Sequence, residues 1–461
     1  MTFEFIHLTK RIQFLAPLFI FTSALLIAQF RGDQRRAYVQ EQSPLSIEFI
    51  TYAETDTSTV SLQVLYRLHA NFLVFAKQKT NQLEFYQARA ELLIEIFNEK
   101  NETVARDFRP IVYERNTSPT EAFLNTDFIQ GHWTFTLKRG KYHFSIEAKD
   151  IESDRTYDNR NLQIDIPLFV RHALQPSPII LLETQTAKTP DLFSVPAMLM
   201  NYGNAVLIGQ QARAIFQLVT PDTIHPIKVS WEIKGREESE EEFHSELHDS
   251  IFTEYAGIPQ VVDTNNRPAL LLRQANRHTL MIVVPLNTEQ LETRFYHLSV
   301  SIAQDTMKAT QKYSFRVIWP NRPQSLEDFR IATEALQHIA TEKEYDEITS
   351  ASTSKARQLF KEFWKKHSPD STKAYNPMMA EYYRRVDEAM NRFSSSNERD
   401  GFKTDRGRIY ILFGTPTMTN RLLKPNSPPT ELWTYEKLRK RFIFTDSQKT
   451  GNYILTKTEE Y

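Results

Sequence analysis

The chain has 461 residues, contains no cysteine, and carries 56 lysines and arginines against 57 aspartates and glutamates. The lack of cysteine excludes disulfides, thiol nucleophiles, thiolate metal sites and an acylated lipoprotein cysteine. The near-zero net charge excludes a global basic field, so we expect no nucleic-acid partner. The length suggests about three domains, each long enough to bury its own core.

The first 30 residues predict export. Lys10 and Arg11 precede an uncharged segment, residues 12–30, whose core has the length of a signal-peptide hydrophobic region. Ala28 offers a cleavage position, although Leu26 is larger than signal peptidases prefer. The same segment is just long enough to remain as an uncleaved membrane anchor. We expect a bacterial chain exported to the periplasm or cell envelope, with membrane contact only through residues 12–30.

Period-two alternation of apolar residues predicts a first β-sandwich over residues 45–170. Strands are indicated at residues 62–68, 88–96 and 162–166, and residues 98–101 are typical of a turn. Residues 133–137 and 142–146 flank a short turn containing Gly140, which predicts a hairpin. Many short strands at this spacing favour an Ig-like sandwich.

A second sandwich is predicted over residues 178–319, after a linker at residues 176–178. The strands indicated here are residues 215–219, 227–233, 280–284, 295–302 and 313–319. The glutamate-rich segment 236–242 lacks the alternating ligands and glycine of a calcium loop, and we interpret it as a solvated loop.

The apolar period changes to helical spacing after residue 319, and this predicts an α+β domain over residues 320–461. Helices are expected around residues 329–339, 356–364 and 383–393, with Ser325 and Asp328 resembling a capping box. Short strands are expected at residues 432–435, 442–444 and 453–455. The predicted fold class is therefore mainly β: two tandem β-sandwiches followed by helices and then a strand meander.

Residues 401–414 carry three of the 11 glycines and are the most distinctive part of the chain. Thr404 and Asp405 are expected to hydrogen-bond to nearby backbone N–H groups and so close a tight turn. The run at residues 409–413 is apolar on both faces, which predicts a central strand beginning at Arg408.

The last 140 or so residues resemble the GWxTD-domain family of exported bacterial proteins. The resemblance rests on motifs in the family's order: Phe360, Phe363 and Trp364; residues 381–386; Thr404, Asp405, Arg406 and Gly407; residues 409–414; and Trp433. Phe402 stands where the family has its defining tryptophan, and residues 368–371 replace the usual Asp-Pro-Thr-Pro. The resemblance implies export and a β-rich N-terminal half, and it supplies no activity.

The candidate binding or motif residues are Trp364, Glu381, Tyr382, Gly401, Phe402, Thr404, Asp405, Arg406, Gly407 and Trp433. Asp405 is the best catalytic candidate, but acid–base chemistry needs a second group such as Glu381, Glu431 or Asp446. The alternative is that Asp405 caps its turn and pairs with Arg406 or Arg408. Trp364 and Tyr382 either line a binding surface or belong to the core.

No histidine metal spacing, nucleophile elbow or phosphate-binding loop occurs in the sequence, so we expect no cofactor and no metal. We therefore favour a non-enzymatic binding or assembly module of the cell envelope. Its expected partner is another envelope protein or a surface glycan, bound through the C-terminal domain. The alternative is an exported hydrolase, directed at glycans or peptides, that uses Asp405 and a second carboxylate.

Overall fold

The computed structural model describes residues 43–461 except 55–58, 80–83, 121–126, 171, 185–190, 201–203, 238–241, 265–266, 396–397 and 426. The predicted export segment lies outside the described residues, as does part of the glutamate-rich loop. The chain divides into two compact units between Ile318 and Trp319. The first unit is built of strands, and the second has helices followed by strands. The predicted fold class is confirmed.

The N-terminal unit begins with a sandwich of two sheets. One sheet has the strand order β1-β2-β6, and the other has the order β3-β4-β7-β8 with β5 also paired to β4. Between them lies a core that includes Leu62, Leu92 and Phe144, all fully buried. The strands are β1 (Leu45–Ala53), β2 (Thr59–His69), β3 (Ala76–Lys79), β4 (Glu84–Phe97), β5 (Thr103–Arg115), β6 (Phe128–Lys138), β7 (Gly140–Asp150) and β8 (Thr156–Ile166).

The hairpin predicted at residues 133–146 is wrong in its pairing. Both strands form, but β6 pairs with β2, whereas β7 pairs with β4 and β8. Only Arg139 separates β6 from β7, and Gly140 has a φ of 155°. The chain therefore bends at a glycine corner and passes from one sheet to the other.

Two further sheets complete the N-terminal unit. A seven-stranded sheet has the order β10-β13-β18-β16-β17-β11 with β9 on β13, and a five-stranded sheet has the order β12-β20-β19-β14-β15. The strands are β9 (Gln175–Pro176), β10 (Ile180–Glu183), β11 (Ala197–Met198), β12 (Ala205–Leu207), β13 (Ala212–Val219), β14 (Lys228–Arg236), β15 (His244–Asp249), β16 (Thr253–Thr264), β17 (Arg267–Gln274), β18 (Thr279–Leu286), β19 (Phe295–Gln304) and β20 (Met307–Ile318).

The two sandwiches share a core. Ile50 and Leu65, from the sheet of β1 and β2, pack in one cluster with Ile215 and Met281 of the seven-stranded sheet. The buried Gln217 side chain accepts a hydrogen bond from Ala53 N–H at 2.7 Å and donates one to Ala53 O at 2.9 Å. The four sheets are therefore successive layers of one compact unit.

Residues 176–178, expected to be a linker, belong to this packed region. Ser177 is 1% exposed, and its N–H donates to the carbonyl oxygen of Gln217 at 2.7 Å. Its hydroxyl accepts a hydrogen bond from Gln217 N–H at 2.9 Å. The Pro-Ser-Pro composition is typical of a linker, but here it forms a short, buried edge of the sheet next to β13.

The C-terminal unit contains helices α1 (Phe329–Glu334), α2 (Glu342–Ser350), α3 (Thr353–Lys366), α4 (Pro377–Phe393) and α5 (Asp405–Phe413). A sheet of order β21-β22-β23-β24 follows, with β21 (Met418–Leu422), β22 (Thr430–Tyr435), β23 (Lys440–Thr445) and β24 (Ile454–Glu460). The three predicted helices correspond to α1, α3 and α4. Asp328 caps α1 alone, because its side chain accepts from the N–H groups of Arg330 and Ile331.

The strand predicted at residues 409–413 is wrong, because these residues form helix α5. The strand meander accordingly begins at Met418 and not at Arg408. Ile409, Tyr410 and Ile411 are consecutive and all at most 3% exposed, so this run of the helix is buried on every side and shows no helical period. A short apolar run buried all round has the same composition in a helix and in a central strand.

Candidate functional site

The turn before α5 requires two glycines because the backbone passes very close to itself. A Cβ atom on Gly401 would lie 2.2 Å from the carbonyl oxygen of Ala389 in α4. A Cβ atom on Gly407 would lie 2.0 Å from the carbonyl oxygen of Gly401. Neither residue is among the positive-φ glycines of the described chain. Glycine is therefore needed here for space and not for a left-handed backbone.

Thr404 is the N-cap of α5. Its hydroxyl accepts a hydrogen bond from Gly407 N–H at 3.0 Å and donates one to Gly401 O at 2.8 Å. This satisfies one of the unpaired N–H groups of the first helical turn. A single buried hydroxyl thus joins the two glycines.

Asp405 is the first residue of α5 and ties this helix to the sheet. One carboxylate oxygen accepts a hydrogen bond from Leu455 N–H of β24 at 2.8 Å. The other lies 3.2 Å from the guanidinium of Arg408. A carboxylate in the first turn is also favoured by the helix dipole. Pairing with Arg408 was one of the two expected structural roles of this residue.

Arg406 forms a buried ion pair with Glu431 of β22. The Nη1–Oε2 distance is 3.3 Å, and only 11% and 10% of the two side chains are exposed. The guanidinium also donates to Gly451 O at 3.1 Å and lies 4.3 Å from the centre of the Tyr453 ring. Removal of either partner of a buried pair costs about 3–5 kcal/mol, because the other charge stays buried.

Phe402 occupies the tryptophan position of the family motif and is fully buried. The carbonyl oxygen of this residue lies 2.8 Å from His338 Nε2, at the end of the 3₁₀ turn that follows α1. Trp433 is 3% exposed and packs on Phe393 and Phe444, with ring centres 5.4 and 4.9 Å away. Both aromatic residues therefore belong to the core.

Glu381 lies on α4. Its partner Arg385 contacts the C-terminal end of α5, which is the end away from the glycine turn. Arg384 and Arg385 donate to its carboxylate, and these hydrogen bonds lower the pKa of Glu381 to about 2. Arg385 also donates to the carbonyl oxygen of Ile411 at 3.1 Å. A cation at this position satisfies a terminal carbonyl and complements the helix dipole.

Trp364 and Tyr382 lie in the helical core and are separate from the turn. Their ring centres are 5.5 Å apart, and the two residues are 5% and 8% exposed. The Tyr382 hydroxyl donates to Ala335 O at 2.5 Å, and burial raises the pKa of this phenol. Neither ring is free to bind a ligand.

The structure thus brings Gly401, Phe402, Thr404, Asp405, Arg406, Gly407 and Trp433 together around α5 and the sheet. The other candidate carboxylates are also engaged, since Asp446 is 3% exposed and accepts from Gly451 N–H at 2.7 Å. Within the described residues, no group of acidic and histidine side chains is arranged to hold a metal ion. The Leu455 N–H and the Arg385 contact were not anticipated, because each depends on residues far apart in the sequence.

One edge of the sheet in this unit is exposed. All five residues of β21 are exposed, and β21 pairs only with β22 among the described strands. Met418 and Leu422 are 51% and 48% exposed, and the adjacent Leu423 is 68% exposed. An unpaired edge strand with exposed apolar side chains is a template for pairing with another chain.

The helices, the glycine turn and the strand meander all lie within a segment that matches a known protein family. The sequence profile of the GWxTD domain matches residues 299–461, from within β19 to the last residue. This part of the chain is therefore a GWxTD domain. No curated protein matches the chain.

Among solved structures, the chain is similar to the C-terminal domain of the Streptococcus agalactiae AgI/II polypeptide BspA. The identity is 8% and the TM-score 0.17, over 59% of this chain and 99% of that one. A structure titled as manganese lipoxygenase of Gaeumannomyces graminis with part of zonadhesin of Komagataella pastoris has 11% identity and a TM-score of 0.16. It covers 59% of this chain and 94% of that one. Scores at this level do not bear on the fold or the function.

Proposed function

We propose that this chain is an exported, non-enzymatic cell-envelope protein whose GWxTD domain binds an extended segment of another envelope protein. The supporting observation is that the polar side chains of the motif are hydrogen-bonded or ion-paired within the domain. Thr404, Asp405 and Arg406 direct their polar groups inward, and they join the turn, α5 and the sheet. A binding role is favoured over the alternative hydrolase, because Asp405 accepts from Leu455 N–H and Glu431 is paired with Arg406.

The partner segment is proposed to pair with β21 as an added strand. The two edges of this sheet differ: β24 carries Lys457, Glu459 and Glu460, whereas β21 carries only Arg421. Charged residues protect natural edge strands from pairing, so β24 is protected and β21 is open. Arg421 is itself paired with Glu431 at 3.0 Å. Backbone hydrogen bonds would supply affinity, and Met418 and Leu422 would contact alternate side chains of the partner.

The test is photocrosslinking in cells from position 420 of β21, with a control at position 458 of β24. We expect crosslinks to an apolar, extended segment of an envelope protein from position 420 only. The double variant Met418→Lys with Leu422→Lys should lose them. Ile454→Lys should keep them, because Ile454 is similarly exposed, at 53%, but lies on the protected edge. Crosslinks that survive the double variant would contradict the proposal.

Export rests on the sequence of residues 1–30, and a fusion tests it separately. Residues 1–45 are joined to a reporter that is active only outside the cytoplasm. We expect signal, since Lys10 and Arg11 precede an uncharged hydrophobic segment. A fusion with Ile20→Arg and Leu25→Arg, which interrupts that segment, is the matched control and should be inactive. Equal signal from both fusions, or none from either, would count against export.

Among the helices that the structure describes, none has both the length and the apolar character that a bilayer crossing requires.

A further inference from the structure

An open groove of about 620 Å³ lies on the outer face of the five-stranded sheet in the N-terminal unit. Its floor is formed by three neighbouring strands, β14, β19 and β20, and the segment that follows β15, including Phe252, lines it as well. The volume is in the range of ligand-binding clefts in proteins. The inner face of the same strands packs in the core, where Val229, Val300 and Ile302 are at most 4% exposed.

The register places like side chains in rows across this floor. Ser230 is opposite Ser301, and Ser301 is opposite Thr310, so three hydroxyl side chains form one row. Lys228 is opposite Ala303, and Ala303 is opposite Lys308, so a lysine stands at each end of the next row. Adjacent strands are about 5 Å apart. The result is a line of hydroxyls beside two lysines separated by about 10 Å.

The charges of this groove are not compensated from within. None of the residues that line it is acidic. Among the described residues, no carboxylate lies within ion-pair distance of Lys228 or Lys308, and neither ammonium group has a side-chain hydrogen bond. In the row on the other side of the hydroxyls, the exposed Lys312 is opposite Ser299 and Ser299 is opposite Glu232, which is itself paired with Lys234 at 3.4 Å. On the same face, burial and the positive charges of Lys312 and Arg236 lower the pKa of His297 to about 4, so the His297 imidazole is neutral at pH 7.

We infer that this groove binds an anionic polysaccharide. The lysines complement carboxylate or sulfate groups on a polymer, and the row of hydroxyls can donate to and accept from sugar hydroxyls. Phe252 is half-buried and offers an apolar wall to a sugar ring. Single-stranded nucleic acid is recognised by successive aromatic platforms and arginines. This groove contains one aromatic ring and no arginine. The site is independent of the partner proposed for β21.

The test measures binding of the purified full-length chain to immobilised polygalacturonate, with neutral dextran and a DNA oligonucleotide as comparisons. We expect binding to polygalacturonate, little to dextran, and weaker binding to DNA. The double variant Lys228→Ala with Lys308→Ala should lower the affinity for polygalacturonate about tenfold, a size typical of two partly solvated charge contacts. The triple variant Ser230→Ala, Ser301→Ala and Thr310→Ala should also lower it, although it leaves the charge unchanged.

The matched control removes two lysines elsewhere. Lys79 and Lys343 are 79% and 86% exposed, and Lys79→Ala with Lys343→Ala changes the net charge by the same amount. This variant should bind polygalacturonate as tightly as the unchanged chain. The inference is overturned if polygalacturonate does not bind, or if both lysine pairs have equal effects. Equal binding of dextran, or tighter binding of DNA through Lys228 and Lys308, would overturn it as well.

Discussion

The tight turn before α5 depends, at the residue scale, on Thr404, Gly401 and Gly407 together. The threonine hydroxyl contacts the backbone of both glycines, and the absence of a Cβ atom on each lets the turn approach α4 and the start of α5. Thr404 hydrogen-bonds to a nearby N–H as predicted, whereas Asp405, for which the same was predicted, accepts from the distant Leu455 N–H instead. The sequence predicted that this turn is tight. It did not show that Gly407 is needed for close packing, because composition does not distinguish lack of space from a positive φ.

Gly407→Ala should destabilise the C-terminal unit by roughly 3 kcal/mol or more, because the new Cβ atom would meet a backbone oxygen that has no room to move. Gly451→Ala is the matched control. Gly451 has a φ of 83°, and a Cβ atom at this position would have no neighbour within 4 Å, so only backbone strain of about 1 kcal/mol is expected. Urea unfolding measures both. Equal losses in the two variants would contradict the close-packing role.

Asp405→Asn should cost about 1 kcal/mol or less, because the amide oxygen can still accept from Leu455 N–H. Asp405→Ala should cost more, about 1–3 kcal/mol, since that N–H then loses its partner. The melting temperature and the cellular phenotype of both variants are compared. If Asp405→Asn melts like the unchanged protein yet abolishes the phenotype, Asp405 has a chemical role and the proposed structural role is incomplete.

At the scale of elements, strands and amphipathic helices were predictable wherever one face is solvated. Helix α4 matches its prediction because Tyr383 and Val386 are buried while Arg384 is exposed. Helix α5 and the partners of β6 and β7 were not predictable. The position of α5 depends on long-range contacts, such as that of Asp405 with Leu455. The alternation of apolar residues within β6 and β7 carries no information about which sheet each strand joins.

Helices α2 and α4 should make the stability of the C-terminal unit depend on pH. Lys366, the Thr341 N–H and the Thr341 hydroxyl lower the pKa of Glu344 to about 2, and Arg384 and Arg385 do the same for Glu381. Each folded-state pKa is below the unfolded value of 4.5. The stabilisation is therefore fully present above that value, and it is lost as the pH falls from about 4.5 toward 2.

Urea unfolding at several pH values checks this dependence. Glu344→Gln and Glu381→Gln should each flatten the fall in the free energy of unfolding below about pH 4.5. Glu362→Gln on α3 is the control, because its carboxylate accepts a hydrogen bond from the neutral amide of Gln358. A Glu344→Gln variant with an unchanged acid slope would show that the hydrogen bonds from Thr341 and Lys366 to Glu344 do not supply the effect.

For the whole molecule, limited proteolysis should separate the two compact units before it opens either one. Residues 320–322 are exposed, whereas Ser177 is buried and hydrogen-bonded to Gln217. A protease of broad specificity is required, because Pro320 and Pro323 block many specific cleavages. We expect first cuts near residues 319–323, identified by mass spectrometry. Early cuts at residues 175–178 would contradict the shared core of the four sheets.

Strand β13 has a consequence for how the N-terminal unit opens. All eight of its residues are buried, and it is paired on one side with β9 and β10 and on the other with β18. Its residues contribute to the cores on both of its faces, so neither sandwich can come apart without exposing part of the other. The amides of β13 should therefore be the slowest in the unit to exchange with deuterium, at the free energy of its global unfolding. The two sandwiches should melt as a single cooperative body.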